Sequence, residues 1–273
     1  MINTCIFPAA GYGTRFLPAT KTLPKEMLPI LNKPLIHYAV EEAMDAGFFN
    51  MGIITGRTKR ALEDYFDISY EIESAISGSD KELLLDDVRR QMQNCNFVFT
   101  RQRQMRGLGD AIRCGKSIVG NEPFGVILAD DLCINERQSV MRQMVNVYER
   151  YRCSIVALMK VPNEDVDKYG IIDGVKLEEN VYKITSMVEK PDLKDAKTNL
   201  AIIGRYILTP DIFDILDDTL PGRGGEIQIT DAINIQAKQG RCIGLVFDGI
   251  RFDCGSVKGF YEATKYFYEK EYK

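Results

Sequence analysis

The feature that most limits how this chain can fold is the alternation of short apolar strands with helices along its first half. The pattern predicts strands at Thr4–Pro8, Met51–Thr55, Asn96–Thr100 and Gly125–Ala129. It predicts helices from Pro34, over Lys59–Phe66, near Leu108–Ile118 and over Arg137–Arg150. Strands that alternate with helices favour a largely parallel, doubly wound sheet.

The second half of the chain has more strand character. Strands are predicted at Ser154–Lys160, Gly170–Val175, Val181–Glu189, Leu200–Ile207 and Cys242–Phe247. Helices are predicted around Pro210–Leu216, from Glu226 to Lys238 and over Ser256–Lys273, whose aromatic face we expect to pack on the domain. The sequence contains no internal repeat and no Pro/Ser-rich linker, so residues 1–273 are predicted to form one continuous α/β domain.

The stretch 67–95 interrupts this rhythm. Apolar residues recur every four positions in two groups, Ile68, Ile72 and Ile76, then Leu84, Val88 and Met92. This spacing predicts two helices around Ser77–Ser79. Two interpretations stay open: the helices could form an oligomer contact, or they could be an excursion that covers the sheet edge, which is slightly favoured.

Composition and charge exclude several classes of function. The formal net charge of −4 gives no electrostatic footprint for nucleic acid or an anionic membrane. No apolar run approaches the roughly 20 residues of a membrane helix, and no signal peptide is visible. Seven dispersed cysteines without a CxxC pair indicate free thiols in a reducing cytosol, so we expect a cytoplasmic protein.

The single histidine excludes further chemistries. His37 lies in the amphipathic helix Pro34–Met44, which favours a structural role over service as the nucleophile of a covalent intermediate. Catalytic triads and zinc sites built on several histidines are excluded, because the chain has only one.

A glycine-rich segment, Gly11-Tyr-Gly13-Thr-Arg15, follows the first strand, where an α/β sheet places its ligands. A dinucleotide fingerprint would need glycine where Phe16 stands, and no GxxxxGK[ST] run occurs, so both well-known glycine motifs are excluded. The loop could offer backbone N–H groups to an anion, with charge from Arg15 and Lys25. Alone, it is equally compatible with a tight turn.

The longer run around this loop carries more information. Gly11–Arg15, followed by Leu-Pro and by Pro24-Lys-Glu-Met-Leu-Pro29, resembles the signature of nucleoside-diphosphate-sugar pyrophosphorylases. The run Pro18–Pro29 looks like that of the bacterial UTP–glucose-1-phosphate uridylyltransferases, and the resemblance extends over nearly the whole chain. It implies a Rossmann-like nucleotidyltransferase fold, a central mixed, mainly parallel sheet flanked by helices, with Mg²⁺ as cofactor and a homo-oligomer, dimer or tetramer.

The resemblance also implies a division of labour. Residues 1–135 would bind the nucleotide, and residues 136–273, which end in the C-terminal helix, would bind the sugar phosphate. The nucleotide contacts carried over from the family are Ala9, Ala10, Gly11, Gly13, Thr14, Glu26, Gln102 and Gly107. Gln102 and the backbone at Gly107 would contact uracil, and Arg15 and Lys25 would be catalytic. Taken alone, Gln102 could be a surface side chain and Gly107 a helix N-terminal turn.

Two acidic positions are the predicted metal ligands. Asp130-Asp131 follows the apolar strand Phe124–Ala129, where carboxylates suit a hard cation such as Mg²⁺ but could equally cap a turn. The family pattern makes Asp130 the ligand. Asp253, in the segment Gly249–Gly255, resembles the family's second acidic strand end and would bind the ion directly or through water.

The run Val188-Glu-Lys-Pro191 resembles the family's sugar-phosphate pocket. Glu189 could accept hydrogen bonds from two sugar hydroxyls, and Lys190 is a compact cation suited to a phosphate and to a catalytic role. The remaining sugar-phosphate residues carried over from the family are Gly170, Asn199 and Arg223. An exposed Glu-Lys pair before proline is otherwise commonplace.

The resemblance implies transfer of UMP from UTP to glucose 1-phosphate by in-line attack on the α-phosphorus, giving UDP-glucose and pyrophosphate. Positioning and charge neutralisation would then supply the catalysis. Two alternatives stay open: a sugar nucleotidyltransferase that uses dTTP or CTP, and a silent sugar-nucleotide sensor of the same fold. A sensor would be expected to lose Lys25, Asp130 or Lys190, and all three are present.

Overall fold

The computed structural model describes residues 2–272, except for the side chain of Arg223. Its strands are β1 Thr4–Pro8, β2 Pro29–Ile30, β3 Lys33–Pro34, β4 Asn50–Thr55, β5 Asn96–Arg101, β6 Phe124–Ile127, β7 Asp131–Ile134, β8 Ser154–Lys160, β9 Gly170–Lys176, β10 Val181–Glu189, β11 Leu200–Leu208, β12 Cys242–Val246 and β13 Ile250–Asp253. Its helices are α1 Leu35–Asp45, α2 Arg60–Tyr65, α3 Tyr70–Ile76, α4 Asp86–Asn94, α5 Leu108–Arg113, α6 Lys116–Val119, α7 Val140–Tyr151, α8 Ile212–Asp218, α9 Ile229–Lys238 and α10 Val257–Tyr272.

A nine-stranded mixed sheet in the order β5-β4-β1-β6-β11-β8-β12-β10-β9 forms the centre of the molecule, as predicted. Strands β5, β4, β1 and β6 are parallel neighbours, because helices carry the chain back between them. Fewer strands pair in parallel than the prediction of a mainly parallel sheet implied. Among the described strands of the second half, only β8 and β12 pair in parallel. The pairs β11–β8, β12–β10 and β10–β9 are antiparallel, as is the pair β6–β11 that joins the two halves.

Helices cover both faces of the sheet, so the central strands are apolar on both sides. On β1, Phe7 packs into the cluster that contains α1 and α7, and its neighbour Ile6 packs into the opposite cluster with α8 and α9. Both side chains are fully buried. Each such side chain contributes roughly 1.5–3 kcal/mol of hydrophobic stabilisation.

A small antiparallel ladder lies outside the main sheet and joins the two halves of the chain. Strand β7, which the sequence patterns did not indicate, pairs with β13 so that Asp131 lies opposite Asp253. The C-terminal helix α10 packs behind β13 through buried Ala263, and its Phe260 makes an edge-to-face contact with Phe16, which follows the glycine-rich segment. The expected packing of this helix on the domain is confirmed.

The stretch 67–95 is helical, as predicted: α3, a 3₁₀ segment at Asp80–Leu85, and α4. It docks on α1 through Gln91, whose Nε2 donates to the carbonyl of His37 at 3.1 Å. Several of its apolar side chains face solvent, among them Tyr70 and Leu84, which are 75% and 72% exposed. Within residues 2–272, no helix combines the length and apolar character that crossing a bilayer requires.

A buried ion pair, Arg205 with Glu42, ties β11 to α1. The Arg205 side chain is 1% exposed, and its Nε and Nη2 contact both carboxylate oxygens of Glu42 at 2.8–3.1 Å. Its Nη1 donates to the carbonyl of Leu128 at 3.1 Å. The pair therefore fixes the turn that follows β6.

Candidate active site

The glycine-rich segment leaves the carboxyl end of β1 and winds through three short 3₁₀ turns, Thr14–Phe16, Ala19–Lys21 and Lys25–Met27. Gly13 has φ of 65°, and a Cβ there would lie 3.0 Å from the Cβ of Lys25. Only glycine combines this left-handed conformation with so close an approach. Thr20 Oγ1 closes the turn by donating to the carbonyl of Gly13 at 2.8 Å.

Lys25 and Asp130 form an ion pair at the centre of this region. The two residues are 105 positions apart in the sequence, yet Lys25 Nζ lies 2.5 Å from Asp130 Oδ2. Both remain partly accessible, at 23% and 24% exposure. Burial opposes the charged forms, but the attraction of Lys25 outweighs it and lowers the pKa of Asp130. Asp130 in turn raises the pKa of Lys25, so both groups are ionised at neutral pH.

Asp130 and Asp253 face the same small space, which Gly255 keeps open. A Cβ at position 255 would lie 3.0 Å from Asp130 Oδ2 and 3.1 Å from Asp253 Oδ1. Arg15 approaches the same point, since its Nη1 donates to the carbonyl of Gly255 at 3.4 Å. Two carboxylates around a gap that only glycine preserves are a donor set that fits a hard divalent cation.

Two cavities meet at Asp130. One, of about 580 Å³, is lined by Arg15, Asp253 and Tyr169 together with the charged residues Asp131, Asp165, Lys168, Arg251 and Lys258. The other, of about 240 Å³, is lined by Ala10, Gly11, Lys25, Gln102 and Gly107 among others. Leu128 and Asp130 belong to both walls. The structure therefore brings most of the predicted nucleotide, catalytic and metal residues into one continuous site.

Gln102 is held in place at the far end of the smaller cavity. Its side chain is buried, and Nε2 donates to Asp110 Oδ2 at 2.8 Å and to the carbonyl of Gly107 at 3.1 Å. These two contacts use the amide donors and leave Oε1 to accept from a ligand. Gly107 has φ of 97°, and a Cβ there would lie 2.8 Å from the carbonyl oxygen of Ile227.

Ala9, Glu26 and Thr14 were also predicted to contact the nucleotide, but the first two are engaged with other protein groups and the third is exposed. The N–H of Ala9 donates to the carbonyl of Ile54 at 2.9 Å, so it is engaged in the sheet. The Glu26 side chain is buried and pairs with Lys59 Nζ at 2.7 Å, while its Oε1 hydrogen-bonds to no described residue. Thr14 is exposed at the start of its 3₁₀ turn.

The predicted sugar-phosphate residues gather at the junction of β9, β10 and α9. Thr230 Oγ1 donates to Glu189 Oε2 at 2.6 Å, and the same oxygen would lie 3.2 Å from a Cβ at Gly170. Lys190 adopts a left-handed conformation with φ of 46°, and its N–H donates to the carbonyl of Tyr169 at 2.9 Å. Because Tyr169 also lines the larger cavity, this region adjoins the Asp130 site.

Of the other two predicted sugar-phosphate residues, the structure describes the side chain of one and not of the other. Asn199 Nδ2 donates to the carbonyl of Val161 at 3.0 Å, which makes this side chain a brace between two backbone segments. Arg223 begins a 3₁₀ turn, but its side chain lies outside what the structure describes.

Comparison with known proteins identifies the family. Residues 6–270 match the family model described as nucleotidyl transferase. The chain belongs to this family. It is similar to the UTP–glucose-1-phosphate uridylyltransferase of Pseudomonas aeruginosa, with 58% identity over 100% of this chain and 98% of that protein.

Two solved structures extend the likeness to the fold. The crystal structure of apo UDP-glucose pyrophosphorylase has a TM-score of 0.96 and 60% identity, covering 99% of each chain. That of UDP-glucose pyrophosphorylase complexed with UDP-glucose has a TM-score of 0.92 and 58% identity, covering 99% of this chain and 100% of that one. The predicted nucleotidyltransferase fold is therefore confirmed, and the chain is a nucleotidyltransferase. Members of the family generally use a divalent metal ion.

Sequence reasoning missed Arg251, which lines the larger cavity of the candidate site. It contacts Asp131 Oδ1, its Nη1 donates to the Tyr169 hydroxyl at 3.1 Å, and its guanidinium lies 5.2 Å from the centre of the Tyr169 ring. Arg251 and Asp253 are two positions apart on β13 and so project to one side of the strand. The alternation of side chains along a strand was therefore the sequence signal that could have identified Arg251.

The residues for which the sequence predicted a structural role, the cysteines and His37, lie away from the two cavities at Asp130. All seven cysteines lie within residues 2–272 and are free thiols. His37 is buried on α1, and its Nδ1 lies 2.9 Å from the hydroxyl of Tyr65. Neither the cysteines nor His37 lines either cavity at Asp130.

Proposed function

We propose that this nucleotidyltransferase transfers UMP from UTP to glucose 1-phosphate, giving UDP-glucose and pyrophosphate. The observation that carries the proposal is the position of the Lys25–Asp130 pair. It lies where a cavity that ends at the oriented amide of Gln102 meets a larger, charged cavity next to Glu189 and Lys190. A nucleoside triphosphate and a sugar phosphate would meet at this junction. The names of the relatives, and the UDP-glucose in one of them, support this choice of substrates.

The smaller cavity suits a pyrimidine base. Gln102 Oε1 would accept the N3–H of uracil, since the amide nitrogen is committed to Asp110 and Gly107. Leu108, Ala111 and Leu128 provide apolar walls for the ring. The backbone at Ala10 and Gly11 borders the same space, and we assign Ala9, Gly13, Thr14 and Glu26 to shaping this end of the loop.

The reaction needs no general base, because the phosphate of glucose 1-phosphate is already an anion at neutral pH. Its oxygen attacks the α-phosphorus of UTP, and the bond to the β-phosphate oxygen breaks. Arg15 and Lys25 stabilise the negative charge that builds on the departing pyrophosphate. Lys25 can do so only by leaving Asp130, which its partial exposure permits.

We assign Mg²⁺ to Asp130 and Asp253. The gap at Gly255 fits the ion, and both donors are oxygens, which Mg²⁺ prefers. When bound, Mg²⁺ would neutralise phosphate charge and polarise the phosphoryl oxygens. Asp130 would then hold the ion in place of its contact with Lys25, and the lysine would bind the substrate.

The sugar side is assigned to Glu189, Lys190 and Gly170. Thr230 holds one carboxylate oxygen of Glu189, which orients the other for sugar hydroxyls. The left-handed conformation of Lys190 costs about 1–3 kcal/mol in backbone strain, and such strain is typical of functional positions. Lys190 would reduce the repulsion between the two phosphates. Asn199 is assigned to bracing this pocket, and Arg223 to the sugar phosphate.

We also propose a homo-oligomer, dimer or tetramer, in the cytoplasm. Free thiols fit a reducing compartment. The exposed apolar side chains of the 67–95 stretch fit a contact with a second copy. Light scattering should show a multiple of the 30.9 kDa chain mass, which Tyr70→Ser with Leu84→Ser should reduce; a monomeric wild-type protein would contradict this assembly.

The activity is tested by mixing the purified protein with Mg²⁺, glucose 1-phosphate and each nucleoside triphosphate in turn, and measuring pyrophosphate release. Release with UTP alone, abolished in Asp130→Asn and retained in Asp64→Asn, would support the proposal. Asp64 is a matched control because it is an exposed aspartate on α2 outside both cavities. Preferential use of dTTP or CTP would change the substrate, and no release with any triphosphate would refute the activity.

A further inference from the structure

A second group of potential metal ligands lies outside both cavities, where α1 meets α4. Within the described part of the chain, His37, Glu41 and Asp87 each offer one ligand atom within 4.8 Å of the others. His37 and Glu41 are four residues apart on α1 and so share one face, and Asp87 comes from the first turn of α4. We propose that these three residues, the α1–α4 cluster, bind a divalent transition metal ion of the zinc class.

The imidazole of His37 is arranged as a ligand. The side chain is 2% exposed, and its Nδ1 lies 2.9 Å from the hydroxyl oxygen of Tyr65. Burial raises the pKa of Tyr65, so this hydroxyl is protonated at neutral pH. The buried Nε2 hydrogen-bonds to no described residue, although it lies 3.2 Å from Glu41 Oε1. One ring nitrogen held by a polar partner, with the other turned toward a carboxylate, is the usual arrangement of a metal-binding histidine.

The two carboxylates of the α1–α4 cluster already form ion pairs with basic side chains. Lys33 Nζ contacts Asp87 Oδ2 and lies 3.9 Å from Glu41 Oε1. Arg90 lies 3.0 Å from Asp87 and 3.4 Å from Glu41.

A metal ion would compete with Lys33 for this position. The Lys33 and Arg90 side chains are 31% and 57% exposed, so both can turn outward into solvent. Their positive charge marks the place that a smaller, doubly charged ion would occupy.

The donor set selects the class of metal. One imidazole nitrogen and two carboxylate oxygens suit Zn²⁺ or Co²⁺, with water in a fourth position, whereas Mg²⁺ prefers oxygen ligands alone. The 3.2 Å between His37 Nε2 and Glu41 Oε1 is close to the separation of about 3.3 Å expected for two ligands of a tetrahedral ion with bonds of about 2.0 Å. The ligand atom of Asp87 lies within 4.8 Å of the other two and would move closer to complete the set.

The single histidine makes a direct test possible. In untagged protein labelled with ¹⁵N at histidine, every imidazole signal comes from His37. One equivalent of Zn²⁺ should shift the Nε2 resonance strongly and the Nδ1 resonance less. Zn²⁺ that binds the protein but leaves both ring nitrogens unchanged would overturn the proposal.

Three variants separate a metal site from a purely structural group of ion pairs. By calorimetry, Glu41→Gln should weaken Zn²⁺ binding at least about tenfold, since ligand changes exceed the 10–100-fold losses typical of supporting residues. Lys33→Met should tighten it by removing the competing ammonium, and Asp64→Asn should leave it unchanged. Thermal melting verifies that each variant is folded. Equal affinity in wild type, Glu41→Gln and Lys33→Met would refute the assignment.

Discussion

Two ion pairs hold the short turn between β6 and β7, and they are built in opposite ways. Arg205 and Glu42 are buried, contact each other through both carboxylate oxygens, and reach the turn through the carbonyl of Leu128. Lys25 and Asp130 join through a single contact at 2.5 Å, with about a quarter of each side chain accessible. Burial and several hydrogen bonds keep the first pair closed, whereas the proposed mechanism requires the second pair to open so that Lys25 can contact a phosphate. Accessibility and the number of hydrogen bonds thus distinguish the two pairs at one turn. We call Arg205–Glu42 the scaffold pair and Lys25–Asp130 the machinery pair.

The largest effect is expected from breaking the scaffold pair. Arg205→Met should lower the free energy of unfolding by about 3–5 kcal/mol, because it leaves the Glu42 carboxylate buried without its partner. Denaturant titration measures the change. The double variant Arg205→Met with Glu42→Leu should recover most of the loss, since no charge then remains buried. A double variant as unstable as the single one would contradict this account of the pair.

The machinery pair should show the reverse pattern. Lys25→Met should reduce turnover about 10²–10³-fold, the usual cost of one transition-state charge contact. It should change the free energy of unfolding by at most about 1 kcal/mol, because the pair is partly exposed. Lys21→Met, on the same loop but outside both cavities, is the control and should retain activity. Normal turnover in Lys25→Met would remove this lysine from the mechanism.

A smaller and more selective effect is expected at the sugar side. Lys190→Met should raise the KM for glucose 1-phosphate about tenfold, which corresponds to about 1.4 kcal/mol, while the KM for UTP stays unchanged. Steady-state kinetics with each substrate varied in turn separates the two constants. Lys194→Met, an exposed lysine nearby, serves as the control. A selective UTP defect would assign Lys190 to the nucleotide instead.

The smallest effect concerns pH. Because the folded-state pKa of Asp130 is lowered, its contribution to stability is present above the unfolded pKa of about 3.9 and is lost as pH falls through the folded value. The raised pKa of Lys25 acts in the opposite direction: its contribution is complete below about pH 10.4 and is lost as pH rises through the folded value. The stability difference between wild type and Lys25→Met should therefore be constant from pH 5 to about pH 9 and shrink in acid. A maximum near pH 7 would point to another group.

The fold was predictable where local pattern and tertiary environment agree. The apolar runs at Thr4–Pro8 and Phe124–Ala129 gave strands close to those observed, because both are buried on two faces. Strand β7 escaped prediction, since its pairing with β13 is long-range and its four residues carry no clear alternation. The ion pair of Arg205 was not predicted for a related reason. A charged residue in an apolar strand indicates that it has a partner, but not that the partner is Glu42.

The candidate site, like the fold, was predictable only in part. The run from Gly11 to Lys25 and the acidic positions Asp130 and Asp253 were predicted from the sequence, and the structure brings Arg15, Asp130 and Asp253 together around Gly255. The commitment of the Gln102 amide to Asp110 could not be read from spacing, because it depends on how α5 is placed against β5. The burial of Glu26 against Lys59 likewise follows from tertiary packing alone.

The backbone contact between the turn at Gly107 and the chain at Ile227 has a consequence for engineering. Ile227 donates to the carbonyl of Arg106 at 2.7 Å, Gly109 donates to that of Ile227 at 2.9 Å, and Gly222 donates to that of Glu226 at 2.8 Å. The loop between residues 222 and 226 is thus closed at its base, independently of its length. Doubling such a loop costs only about 0.6 kcal/mol in closure entropy. The segment is a place where residues, or a reporter, could be inserted while the turn at Gly107 keeps its shape.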